Sequence, residues 1–243
     1  MPQIRAGDVI FDVDAVAFDK DGTLIDLDAA WGPAALAWVT TAASGDLALE
    51  ETLAARLGLD LATGHLVGGG LFAVGTVGQL YETTLGALSD NGAGKADARA
   101  SSDRAREMSA LAGEKGNLVA LGDVTGTFRS LQEAGLRLAI VSSDDRSAID
   151  SAIDALSVGP LLEAVVAGDE GLDAKPAQAA LIEAARRLRV EPARLLYVGD
   201  SWVDAEAGRA AGVAGVVLVG DQPPDTSILA TVVVPGIDSL HVV

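Results

Sequence analysis

Asp19-Lys20-Asp21-Gly22-Thr23 places two carboxylates two residues apart, directly after the apolar run Ala15-Val16-Ala17-Phe18. A strand's period of two points Asp19 and Asp21 to one side and Lys20 to the other. Gly22 then permits the abrupt turn that leaves both acids at the end of the strand. A carboxylate so placed can attack phosphorus and form an aspartyl-phosphate. A second, two residues on, can protonate the leaving oxygen and later activate water. Asp19 and Asp21 suit those two roles.

Three further polar clusters follow apolar runs. Ser142-Ser143 follows Leu138 to Val141, Lys175 lies in the loop after Ala164 to Val166, and Asp200 with Asp204 follows Leu195 to Val198. Phosphoryl transfer spreads negative charge over the equatorial oxygens and needs fixed donors. Ser142-Ser143 offers hydroxyl and backbone amide donors, and Lys175 a point charge. Pro176 suits the first turn of a helix beginning near Ala177, which would put the ammonium close to a helix N-terminus. Magnesium takes oxygen ligands and bridges to phosphate, so one or two extra carboxylates suffice. Asp200 is the candidate ligand, with Asp204 one helical turn on to orient it.

The elements that must carry these residues are legible as alternating runs. From Val119 onward the expected order is helix Asp123 to Glu133, strand Leu136 to Val141, helix Arg146 to Leu156, strand Ala164 to Val166 and helix Ala177 to Arg189. Strand Leu195 to Val198, helix Asp204 to Ala211 and strands Val216 to Val219 and Thr231 to Val234 complete it. Short apolar runs between amphipathic helices predict an α/β fold with a parallel sheet covered on both faces. Ligands in such sheets bind at the carboxyl edge, where all four clusters fall. Val9-Ile10-Phe11 reads as one more strand, joined to Ala15–Phe18 by an acidic turn.

Between these parts the character changes. Ala29 to Thr41, Leu47 to Leu57, Val77 to Leu88 and Ala96 to Leu111 are Ala/Leu-rich with helical spacing, broken by Gly68-Gly69-Gly70 and Asp90-Asn91-Gly92-Ala93-Gly94. The expected organisation is therefore a core of residues 1–25 and 117–243 with an all-helical insert, 26–116. Trp31 and Trp38 lie seven apart on one helical face and read as packing. Gly68-Gly69-Gly70 lacks the Gly-Lys-Ser/Thr of a P-loop and reads as a connector, while His65 is assigned no role. Ser143 or Asp144 could also cap the helix near Arg146. Placing Gly22 at the sixth position of a calcium loop leaves Ala17 at its first, which excludes that reading.

Composition narrows the partners. Seventeen basic residues against 35 acidic ones give a net charge of −18, which repels nucleic acid and anionic membranes. A phosphate ligand must then be attracted locally, by a metal ion or a placed lysine. The absence of cysteine excludes disulfides, thiolate catalysis and zinc-thiolate sites. No stretch approaches a membrane span and the N-terminus lacks the pattern of a signal peptide, so a soluble cytoplasmic protein is expected. The oligomeric state leaves no sequence signal.

These motifs, in this order, resemble the haloacid dehalogenase-like hydrolase superfamily. Asp19 to Thr23 is similar to its first motif, Ser142 to the second, Lys175-Pro176 to the third, and Gly199-Asp200-Ser201-Trp202-Val203-Asp204 to the fourth. The resemblance covers about residues 8–25 and 117–240. It implies a Rossmann-like core with a helical cap inserted after the first motif. It also implies Asp19 as nucleophile, Asp21 as general acid/base, and Ser142 and Lys175 as phosphate binders. Magnesium would be held by Asp19, the main-chain carbonyl of Asp21 and Asp200. The second acid, Asp21, favours phosphate chemistry over dehalogenation, and the segment Phe18 to Leu24 looks most like the phosphoglycolate phosphatase-like branch. The expected activity is a magnesium-dependent phosphatase of a small phosphate ester. Alternatives are a phosphomutase using the same nucleophile and a non-catalytic phosphate-sensing protein.

Overall fold

The computed structural model describes residues 2–113 and 118–243; the expected boundary between residues 116 and 117 lies outside the described residues. The chain divides into two compact units, one of Met1–Asp26 with Ala120–Val243 and one of Leu27–Val119.

The first unit opens with β1 (Gln3–Ala6), β2 (Val9–Asp12) and β3 (Ala15–Phe18). Later come α6 (Val124–Glu133), β4 (Arg137–Val141), α7 (Arg146–Leu156), β5 (Ala164–Val166), α8 (Ala179–Leu188), β6 (Leu195–Gly199) and α9 (Trp202–Ala211). It ends with β7 (Gly215–Val219), the single turn α10 (Pro224–Ser227), β8 (Val232–Val234) and β9 (Leu240–Val242).

Six strands form one parallel sheet in the order β5-β4-β3-β6-β7-β8. Phe18 aligns with Ile140 on one side and Val198 on the other, so β4 and β6 each run one residue past β3. The chain order reverses at β3, which puts Asp19 at the topological switch point. All four β3 residues are buried, as an apolar run covered on both faces requires. Ala15 and Ala17 pack in a cluster with Leu181, Leu188 and Ala207 from α8 and α9. On the opposite face the Phe18 and Phe128 rings lie 4.5 Å apart. Each fully buried side chain of this size contributes about 1.5–3 kcal/mol.

Two helix starts are corrected here, and the Val9 strand expected from the sequence is placed outside the main sheet. Val9–Asp12 pairs antiparallel with Gln3–Ala6, and β1 in turn with Leu240–Val242, forming a separate sheet from the chain's two ends. The helix after Lys175 starts at Ala179, not near Ala177, because Ala177 N–H donates to Ala174 O and closes a turn around the cis Lys175–Pro176 peptide. The helix after Asp200 starts at Trp202, two residues before Asp204.

The second unit contains α1 (Leu27–Ala43), α2 (Leu47–Leu57), the single turn α3 (Leu71–Val74), α4 (Val77–Asp90) and α5 (Lys95–Gly113). Its core gathers Trp38, Val39, Leu53, Leu57 and Leu88, with Trp31 packed against it. The Trp38 indole N–H donates to Thr84 Oγ1 at 2.9 Å, satisfying a buried donor. Gly70 serves close packing: a Cβ there would lie 2.8 Å from Gly58 Cα. His65 Nδ1 shares a 2.5 Å hydrogen bond with Asp28. Among the described residues no helix is long and apolar enough to cross a membrane.

Candidate active site

Asp19 extends β3 by one residue, its N–H donating to Val198 O at 2.8 Å. That bond turns its carboxylate out at the carboxyl edge, next to the residues that follow β6. One oxygen each of Asp19, Asp200 and Asp204 lies within 4.8 Å of the others. Three acids converging below the surface repel one another and need cationic neighbours.

Lys175 is the first such neighbour. Its ammonium donates to Asp19 Oδ1, to Asp204 Oδ1 at 2.7 Å and to the Tyr197 hydroxyl at 3.3 Å. Tyr197 donates in turn to Asp204 Oδ1 at 2.8 Å, while Ser201 supplies backbone and side-chain donors to Asp204 Oδ2. Asp204 is expected from sequence to orient Asp200; its hydrogen bonds instead go to Lys175, Tyr197 and Ser201. Because the helix begins at Trp202, Asp204 is its third residue and folds back onto Ser201, the preceding cap.

The electrostatics follow from burial and from these contacts. Burial, with Asp204 and Asp21 nearby, pushes the Asp19 carboxyl up to about 7 against the downward pull of Lys175. Burial together with Asp204 and Asp19 raises Asp200 well above the usual carboxylate range. Asp204 is lowered despite its burial, since Lys175, Ser201 and Tyr197 all favour its anion. Burial disfavours the Lys175 ammonium, but Asp19 and Asp204 outweigh it and raise its pKa well above that of ordinary lysine.

The backbone makes room for this cluster. Gly22 has φ +75°, and a Cβ there would fall 2.1 Å from Asp200 Oδ2. No residue with a Cβ meets both constraints without strain. Gln222 Nε2 holds the Asp200 carbonyl at 2.8 Å from a loop after β7.

Asp21 departs from simple alternation. The chain bends at Lys20, so the strand period ends with Asp19, and the buried Lys20 ammonium reaches both oxygens of Asp21 at 2.6 Å. The same ammonium lies 2.9 Å from Asp144 Oδ2. Ser142 is buried one residue past β4, its Oγ accepting from Asp144 N–H at 3.2 Å. Ser143 is exposed, and neither it nor Asp144 caps α7, whose N-cap is Asp145. Asp144 is drawn away by Lys20.

Lys20, Tyr197 and Asp144 are therefore site residues that sequence reading overlooked. Lys20 is flanked by two acids inside the first motif, a signal available in the sequence. Tyr197 sits within an apolar run and reads as packing.

A family model for haloacid dehalogenase-like hydrolase matches residues 13–212. The chain belongs to the haloacid dehalogenase-like hydrolases. The match takes in all four of the clusters described above. Among relatives of this hydrolase, a phosphoglycolate phosphatase of Pseudomonas putida is 31% identical over 203 residues, which cover 84% of this chain and 68% of that protein. Phosphoglycolate phosphatase of Escherichia coli K12 is 33% identical over 95 residues, 39% of this chain and only 38% of that protein. Two solved structures share the fold. A hydrolase of the same family from Deinococcus radiodurans R1, with bound phosphate and sodium, gives a TM-score of 0.64 at 23% identity over 93% of both chains. β-Phosphoglucomutase from Clostridium difficile gives 0.63 at 16% identity over 94% of this chain and 93% of that one.

Proposed function

We propose that this hydrolase is a cytoplasmic, magnesium-dependent phosphatase of a small phosphate ester, phosphoglycolate-like or a sugar phosphate, working through an aspartyl-phosphate on Asp19. One observation carries the reading: Asp19 stands at the sheet's switch point with Asp200 beside it and the Lys175 ammonium on its carboxylate. A nucleophile, a cation site and a phosphate-attracting charge are thereby assembled within a few ångströms.

The donor set fits magnesium. The carboxylates are hard oxygen donors, and three of them converge where Lys175 bridges only Asp19 and Asp204, so a divalent cation would favour their ionised forms. Asp19, the main-chain carbonyl of Asp21 and Asp200 would hold the ion, while Asp204, its oxygens engaged, holds Lys175. Bound there, magnesium supplies charge neutralisation and a fixed place for a phosphoryl oxygen.

In the first step an Asp19 oxygen bonds to phosphorus as the ester P–O bond breaks, and Asp21 gives its proton to the departing alcohol. In the second, Asp21 takes a proton from water as that water attacks phosphorus, releasing inorganic phosphate and restoring Asp19. Lys175, Ser142 and Ser143 hold the phosphoryl oxygens throughout. The helical unit Leu27–Val119 is consistent with the cap of this family, whose part in such a reaction would be to exclude bulk water. Similarity to the Pseudomonas putida phosphoglycolate phosphatase supports the substrate class.

The test is a panel of phosphoglycolate, sugar phosphates, nucleotides and pyrophosphate, assayed with magnesium and with chelator. Magnesium-dependent phosphate release, abolished in Asp19→Asn with the fold intact, is the expected result. Wild-type rates in that variant would sink the reading. Turnover only with a bisphosphate activator, without net phosphate release, would assign a mutase instead. Binding without turnover across the panel would assign a phosphate sensor.

A further inference from the structure

Lys20 has no part in the mechanism so far, yet it is one of the most buried charges in the protein, with its side chain 3% exposed. A buried ammonium needs anionic partners, and Lys20 has two, Asp21 and Asp144. The contact with Asp21 is two-pronged, 2.6 Å to each oxygen, which defines the orientation of the carboxylate as well as its location. The third partner, Asp144, is anchored independently. Its N–H donates to Ser142 Oγ at 3.2 Å, and its carbonyl accepts from Gly168 N–H at 2.7 Å. The bend at Lys20 thus trades strand alternation for an ionic strut between the loops that follow β3 and β4. A lysine serving only as a counter-charge to one acid would need neither the second anchor nor the two-point grip.

We propose that Lys20 is a positioning residue: braced by Asp144, its ammonium keeps hold of one oxygen of the protonated Asp21 carboxyl, so that the other, released from the two-pronged contact, carries the proton to the alcohol oxygen that leaves phosphorus. The proposal rests on Asp21 being the proton donor of the reaction described above. The strut also ties that donor to Ser142, so proton donor and phosphate-binding loop keep a fixed spacing. Misplacing a catalytic group by about 1 Å costs roughly a hundredfold, and general acid catalysis is worth about 10²–10⁴.

The leaving group makes the role measurable. An alkyl phosphate needs its oxygen protonated on departure, whereas the phenolate of p-nitrophenyl phosphate departs without it. kcat/KM covers the steps up to departure of the alcohol, so it reports on this half-reaction alone. Lys20→Met is expected to lower kcat/KM for phosphoglycolate or another accepted alkyl ester by about tenfold to a hundredfold, and for p-nitrophenyl phosphate by less than about threefold. Lys20→Arg, keeping a cation in place, should recover most of the alkyl-ester activity. Equal losses on both substrates, or none on either, would overturn the proposal. Should Lys20→Met fail to fold, Asp144→Ala removes the brace alone and decides the question by the same alkyl-against-aryl comparison. A wild-type protein inactive on every ester would instead refute the function on which the proposal rests.

Discussion

Replacing Lys175 by methionine removes the ammonium that bridges Asp19 and Asp204. Both pairs are buried, with side chains 8% exposed for Lys175, 8% for Asp19 and 1% for Asp204, so the discount for surface ion pairs does not apply. Deleting one partner of a buried pair leaves uncompensated charge and costs about 3–5 kcal/mol. With a urea dependence of roughly 2–3 kcal/mol per M, the unfolding midpoint should fall by about 1–2.5 M. The loss should also depend on pH. Asp19 has a folded pKa of about 7, above the ordinary 3.8. Its ionisation therefore costs no stability below about pH 4 and progressively more as the pH rises to 7. Without Lys175 that pKa climbs further, and the penalty keeps growing at pH values where the wild-type curve has flattened. Urea titrations at pH 5 and pH 8, followed by far-ultraviolet circular dichroism, should show the larger deficit at pH 8. A deficit below about 1 kcal/mol at pH 8, or one equal at both pH values, would refute this account of the site's electrostatics.

Two further outcomes follow from the carboxylate cluster. Asp19 and Asp200 both have raised pKa values, so each destabilises the apoprotein as the pH rises above about 4, Asp19 up to about 7, and a divalent cation binds their ionised forms. Magnesium should accordingly raise the melting temperature more at pH 8 than at pH 5; equal shifts would argue against a cation on these residues. Gly22→Ala imposes left-handed strain of about 1–2 kcal/mol and drives a methyl group into Asp200. It should abolish the magnesium-induced melting shift while leaving the circular dichroism spectrum unchanged.

Much of the sheet was legible because its strands are short apolar runs, buried on both faces. Ala15–Phe18, Ala164–Val166 and Leu195–Gly199 announce themselves by composition and by the polar residues that end them. Gln3–Ala6 and Leu240–Val242 did not, since each is a few residues long and acquires its strand character only from the opposite end of the chain. The same distinction runs through the site. Asp19, Ser142, Lys175 and Asp200 are marked by position relative to local runs. The bracing contacts are not: Lys20 to Asp144 and Tyr197 to Asp204 depend on where the backbone bends and on which loop faces which. Helix starts shifted for a similar reason, as a turn at Ala174–Ala177 and the cap at Ser201 reset them by two residues.

The first unit closes upon itself before the helical unit begins. Leu121 N–H donates to Leu24 O at 2.9 Å, and Ile25 forms an antiparallel bridge with Ala120, so the departing and returning chains are stitched together within the sheet-bearing unit. The helical segment is then a loop whose two ends are already pinned side by side. Lengthening such a loop costs only about 0.6 kcal/mol per doubling. Selection can therefore enlarge, trim or exchange the helices while Asp19 and its partners stay in register.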